Sequence, residues 1–404
     1  MNGINTEKLI LEKSAFDRKN IEMRMASGDF KSIAKFELFI WDLEMFLQIQ
    51  KRLGDKVVLK GGAATQFYIP ISNQRTSVDI DLVCTASRDV LHETLSSIET
   101  ELNGKGELCR FKAHEPKNPK FTLDTLETYF LRIPSICSDT ELFTSRGIQE
   151  IKVEVLFSNH AFPINHIKRP ELFALETERE FNLLALECLF ADKLTTLGPT
   201  TIGITDDRSD EQFKQIYDVF MLFISNVDQI LSQKESIRMN YREYAMAECK
   251  TRNIPYNEEK LLLDINLIIG RIKAIESSQG AQKLANDFQS LYLRKEANRD
   301  KAQWAIAGYI LGLLVDYIFR GDGKILHYKD IERLLGRTRF DNMRGPERGR
   351  MIEDLRNKLK ADYGMLPDLS PDLFKKRLHR IIWELASIVF FEDIDNSIKA
   401  LIGL

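Results

Sequence analysis

Two aspartates one residue apart, Asp79 and Asp81, alternate with Val78, Ile80 and Leu82. Side chains alternate faces along a strand, so the two carboxylates share one face while the apolar residues turn into a core. Carboxylates held that close repel unless a proton or a cation sits between them. Mg²⁺ or Mn²⁺, which favour oxygen ligands, suits the pair. Upstream, the strand-like run Val57-Val58-Leu59-Lys60 breaks at Gly61-Gly62, with sixteen residues between Gly62 and Asp79. Glycines let bare backbone approach a ligand and can open a short helix whose first amides face a phosphate. In this order and separation the two halves read as a site for a nucleoside triphosphate and its metals. A tight turn followed by an ion-paired edge strand is the structural alternative.

Further along, IKVEVLF puts Lys152 and Glu154 on one face of a strand and Ile151, Val153 and Val155 on the other. A two-metal site wants a third carboxylate to complete a metal's shell and help deprotonate an acceptor hydroxyl, and Glu154 is the candidate. The competing reading is a solvent-facing Lys–Glu pair. Asp218 stands alone in the apolar run Ile216 to Ile224. A buried unpaired carboxylate costs several kcal/mol, so it needs a partner, and Lys193 on the preceding apolar helix is the natural one. A salt bridge that only pairs two helices is the alternative.

The stretch LKGGAAT…RTSVDIDL resembles the signature of the abortive-infection (AbiE-type) toxin nucleotidyltransferases, members of the polymerase-β-like superfamily found in type IV toxin–antitoxin systems. ADKLTTL followed by DDRSDEQFKQIYDVF is similar, more loosely, to a second signature of that family. The likeness covers about residues 50 to 225. The family often carries Thr after the glycines, where this chain has Ala63, with Thr65 two residues on. The resemblance implies that Asp79, Asp81 and Glu154 bind metal and that Gly61, Gly62, Ala63, Thr65, Ser77 and Lys193 bind nucleotide. It implies that Asp218 orients Lys193 or the acceptor, and that a growth-arresting toxin acts on the 3′ end of tRNA and is neutralised by an antitoxin. A small-molecule nucleotidyltransferase and an inactive nucleotide- or partner-binding module are the rival functions.

At 404 residues the chain has room for two or three domains. Hydrophobic content of 44% and charged content of 29% are ordinary for a globular protein. A net charge of −3 argues against a surface coated throughout by nucleic acid. Five scattered cysteines, never spaced as CxxC, suit free thiols in a reducing cytoplasm. The longest apolar segment, residues 302 to 315, is shorter than the ~20 residues of a span, so it reads as a buried helix and no membrane contact is expected. Gly308 and Gly312 on it would let another helix pack closely.

The elements that must position the site follow from periodicity. Residues 5 to 52 read as helical, with Phe36, Phe39, Ile40, Leu43, Phe46 and Leu47 on one face. A helix is expected from Ser87 to Leu102, then antiparallel strands between 107 and 157, a connection marked by Pro163 and Pro170, and helices from about Arg179 onward. The expected fold is α+β: a nucleotidyltransferase domain with a mixed sheet and N-terminal helices over 1–165, then a helical domain over 166–404. Residues 320 to 360 hold twelve Lys/Arg against seven Asp/Glu, and GRTRFDNMRGPERGR holds five arginines. There Arg337, Arg339, Arg344 and Arg348 are candidate RNA contacts, a solvated surface being the alternative.

Overall fold

The computed structural model describes residues 4–103, 109–114, 125–134 and 148–320, with a few positions between 345 and 357. Arg337, Arg339, Arg344 and Arg348 lie outside the described residues.

After α1 (Arg18–Ser27) comes α2 (Ile33–Leu53), which Ser32 caps by accepting the Lys35 N–H and Gly54 ends at φ +57°. Its expected apolar face is buried throughout. So are Glu37, Asp42, Glu44 and Gln48, which makes α2 a core helix. Phe39 stacks on Phe173 at 5.2 Å, and Phe46 on Phe181 at 6.1 Å. The strands are β1 (Val57–Lys60), β2 (Asp79–Cys84), β3 (Arg110–Ala113), β4 (Leu126–Pro134), β5 (Ile148–Phe157), β6 (Ile164–Lys168) and β7 (Glu180–Leu184). They form one seven-stranded sheet in the order β3-β4-β5-β2-β1-β7-β6. Between β1 and β2 lies the five-residue α3 (Gly61–Thr65), and α4 (Arg88–Leu102) follows β2, capped by Ser87.

The architecture is the expected α+β with a mixed sheet, and it departs from expectation in the strands after residue 160. β3, β4 and β5 pair antiparallel, but β5 runs parallel to β2. The expected connection after Pro163 is a strand, β6, and the helical reading after Arg179 begins too early. FNLLALECLF starts as β7, which lies parallel to β1 with Leu59 opposite Leu183, and only then becomes α5 (Leu186–Thr195). A short apolar run fits a buried strand as well as a helix, and the free edge of β1 decides for the strand. Next come α6 (Ser209–Ser225), α7 (Val227–Ser232), α8 (Lys234–Thr251), α9 (Glu258–Lys273), α10 (Gln279–Tyr292) and α11 (Lys301–Arg320).

The chain divides into two compact units, Met1–Ile265 with Gln282–Asn298, and Asn266–Ala281 with Arg299–Leu404. In the second, α11 has 20 residues, longer than the apolar segment suggested and long enough by length and composition to cross a membrane. It is mostly buried. Gly308 and Gly312 lie against Ile272 and Lys273, so the two small residues admit a neighbouring segment as expected. A Cβ at Gly308 would sit 2.8 Å from the Lys273 backbone nitrogen, which cannot yield as a flexible side chain can. Gly308→Val should therefore cost about 1–3 kcal/mol, read as a lower thermal or urea midpoint.

Candidate active site

β1 ends at Lys60, and the chain turns at once through Gly61 at φ +70°. That backbone suits glycine, and a Cβ there would also overlap the Asp81 carboxylate. At Gly62 a Cβ would lie 2.6 Å from Arg75 Nη2 and 3.1 Å from Ser77 Oγ. The two glycines thus clear space for an acid on one side and for a guanidinium and a hydroxyl on the other. Ala63 and Thr65 are buried, and Thr65 donates its hydroxyl hydrogen to the Gly61 carbonyl at 3.0 Å.

Ile80 and Leu82 are buried, while Asp79 and Asp81 face the other way and are half-buried. The register sets Asp81 opposite Glu154 and Asp79 opposite Lys152 on β5, with Lys60 opposite Asp81 on β1. Lys152 pairs with Glu154 at 2.8 Å, and Lys60 with Asp192 at 2.9 Å. Burial, then the neighbouring Glu154, pushes the Asp81 carboxyl up to about 7. Burial also raises Asp79, against the pull of Lys152 and Lys214. Beneath them in α2, Asp42 is buried with neither oxygen hydrogen-bonded among the described residues. Burial, then Asp79 and Asp81, raises its carboxyl well above the usual range. Among the described residues, no three His, Cys, Asp or Glu side chains converge on a common point as they stand.

Asp218 on α6 has its expected partner, since Lys193 Nζ lies 2.8 Å from Oδ2 and also donates to Gln215 Oε1 at 2.9 Å. A second partner was not singled out by the sequence reading. Arg75 grips the same carboxylate with two bonds, Nε to Oδ1 at 2.7 Å and Nη2 to Oδ2 at 2.6 Å. All three side chains are buried. Burial alone would raise the Asp218 carboxyl, but Arg75 and then Lys193 hold it below its ordinary value. The signal for Arg75 was its place inside RTSVDIDL, four residues before Asp79.

A cavity of about 240 Å³ opens beside Asp81 and Glu154. Asp192 and Glu248 add acids to its wall, Lys60 is its lysine, and Phe162 and Tyr244 give it aromatic surface.

Two outcomes follow. Asp218→Ala strands a buried guanidinium and a buried ammonium, so it should lower stability by about 3–5 kcal/mol in a denaturant titration. The raised Asp81 carboxyl keeps its proton to higher pH when folded than when unfolded, so the folded state loses stability as pH climbs from the ordinary carboxylate range through about 7. Asp81→Asn removes that penalty. In chelator-treated protein its thermal midpoint should match wild type near the acid end of the window and exceed it above neutral pH.

The model for the family described as the nucleotidyl transferase AbiEii toxin of a type IV toxin–antitoxin system matches residues 46–300. No curated protein matches. Among solved structures, the chain is similar to MenT4, a nucleotidyltransferase toxin of Mycobacterium tuberculosis, at 12% identity and a TM-score of 0.39, covering 71% of this chain and 93% of that one. It is similar to JHP933 of Helicobacter pylori at 15% identity and a TM-score of 0.35, covering 74% and 97%. Scores that low carry no weight beside the family match. That match spans more than half of the sequence and takes in Gly61-Gly62, Asp79, Asp81, Glu154, Lys193 and Asp218: the chain belongs to the AbiEii family of type IV toxin–antitoxin nucleotidyltransferases.

Proposed function

We propose that this chain transfers a nucleoside monophosphate from a nucleoside triphosphate to an RNA hydroxyl, with the 3′ end of tRNA as the acceptor. The observation that carries the reading is the register that sets Asp81 opposite Glu154, with Asp79 one pleat away and the Gly61 turn against Asp81. Three carboxylates are a hard-oxygen donor set, and burying like charges side by side raises Asp81 until a cation compensates. By the chemistry of this donor set Asp79, Asp81 and Glu154 would hold Mg²⁺ or Mn²⁺ once their side chains turn to a common point and Glu154 leaves Lys152. Bound there, such an ion would neutralise the charge that builds on the α-phosphate.

The protein's own part is positioning. The Gly61-Gly62 backbone and Ser77 flank the donor's phosphates. The acceptor oxygen attacks the α-phosphorus in line and gives its proton to Glu154. The bond from the α-phosphorus to the bridging oxygen breaks, and pyrophosphate leaves with the electron pair. Lys193 and Arg75, tied to Asp218, hold the wall behind the phosphates rigid, which is where catalysis of this kind gains most of its rate. The family implies a cognate antitoxin. The arginine-rich 336–350 segment supports an RNA acceptor on sequence alone.

A second reading has one observation in its favour. The acids Asp81, Glu154, Asp192 and Glu248 on the cavity wall would suit a cationic small acceptor such as an aminoglycoside. Incubating the protein with each labelled triphosphate, Mg²⁺ and either total tRNA or aminoglycosides separates the two by where the label goes. Asp79→Ala and Asp81→Ala should each lower transfer on the order of 10²-fold or more while remaining folded. Wild-type rates in either variant at saturating Mg²⁺ would sink the assignment of the carboxylates.

A further inference from the structure

The cations around the site differ in one respect. Lys60 is paired with Asp192, Lys152 with Glu154, and Lys193 and Arg75 with Asp218. Lys35, on the first turn of α2, and Lys214, on α6, form no ion pair with a carboxylate among the described residues. Both reach the same buried tyrosine. Lys35 Nζ donates to Tyr292 Oη at 3.0 Å and stands 4.2 Å from the ring centroid, while Lys214 Nζ stands 4.6 Å from that centroid. Two ammonium groups gathered on one side chain repel each other, and a neutral phenol does little to offset that. Burial alone would raise the Tyr292 hydroxyl, yet Lys214 and Lys35 together bring it below its ordinary value.

The cluster adjoins the site. The Tyr292 carbonyl accepts the Thr76 N–H at 3.1 Å, and Arg75 bridges to Leu293, so α10 ends against the segment that carries Ser77 into β2. Lys214 is also close enough to bear on the Asp79 charge. The cavity by Asp81 and Glu154, by contrast, is walled with acids and has a lysine already bound to Asp192. Beyond the cation that those carboxylates would hold at the α-phosphate, the further phosphates would meet positive charge on the Ser77 side.

We propose that Lys35 and Lys214, gathered by Tyr292, form an anion site for the donor's terminal phosphates and for the pyrophosphate that leaves. This rests on the nucleotidyl-transfer reading. When the bond to the α-phosphorus breaks, the electron pair departs on pyrophosphate, and the two ammonium groups neutralise the charge it carries. Tyr292 acts as a positioning residue that keeps both lysines in place until the anion arrives.

Calorimetry on the full chain with inorganic pyrophosphate tests this, with nucleoside monophosphate and single-stranded RNA as the other arms. Each of Lys35→Gln and Lys214→Gln should weaken pyrophosphate binding on the order of tenfold, and the pair roughly a hundredfold. Monophosphate and RNA affinities should stay within about twofold, and the double Lys→Arg variant should keep most of the pyrophosphate affinity. If the double glutamine variant fails to fold, the single variants still decide. Unchanged pyrophosphate affinity in a folded variant overturns the inference. So does a loss confined to RNA, which would hand the cluster to an acceptor phosphate. Label transfer by the wild-type protein is scored separately: a protein that transfers label but binds pyrophosphate without these lysines loses only this inference. One that binds pyrophosphate through them and transfers nothing loses the reading of the activity.

Discussion

Asp218 carries its charge inside α6 with no exposure to solvent, and what makes that tolerable is a guanidinium and an ammonium arriving from two other parts of the chain. Arg75 comes from the segment before β2 and Lys193 from α5. The segment is fixed further by amides: Gln66 accepts the Arg75 N–H at 2.7 Å, and Gln74 donates to the Gln66 and Ile69 carbonyls. Arg75 also donates to the Thr76 carbonyl at 2.8 Å. One buried carboxylate thereby locks α5 and α6 to the peptide that delivers Ser77, Asp79 and Asp81. A cluster of this kind adds little net stability compared with an apolar core, but it tolerates few arrangements, and that selects one geometry.

The charges that remain are sorted in space. Burial, and then the charge of neighbouring acids, raises the carboxyls of Asp42 and Asp81, Glu154 faces Asp81 across the strand pair, and the cavity beside them gains Asp192 and Glu248. The positive groups near them are mostly committed to carboxylates. A substrate with a negative polyphosphate end and a neutral nucleoside end meets such a field in one orientation. The cavity beside the acids also has apolar wall, from Phe162, Tyr244 and leucines, which would suit an uncharged ring.

Much of this was legible in the sequence because period and chemistry agreed. The alternation of Asp79 and Asp81 with Ile80 and Leu82 gave both the strand and the acidic face. A lone Asp218 in an apolar run required a partner, and Lys193 was close in the chain and on a helix. What escaped the reading depends on distant pairings that periodicity does not encode. β7 hides in an apolar run that fits either a strand or a helix, and only the open edge of β1 settles it. Arg75 is an unremarkable basic residue until its 143-residue separation from Asp218 is closed. Tyr292 lies more than 200 residues from Lys35 along the chain, so no local pattern joins them.

The placement of the acids itself is a consequence of the core. Ile151, Val153 and Val155 on β5 are fully buried, as are Ile80 and Leu82 on β2. A slip of one residue between β2 and β5 would turn a whole apolar set to solvent, at a cost far larger than one carboxylate repulsion. The apolar alternation therefore dictates the register, and the register sets Asp81 beside Glu154 whether or not a cation is there to welcome them. Lys152 pairs with Glu154, but burial first and then Glu154 still keep the Asp81 carboxyl raised. The pairing of Asp81 with Glu154 is thus held by apolar contacts that carry no charge of their own, so the two backbone positions cannot relax apart to relieve the repulsion.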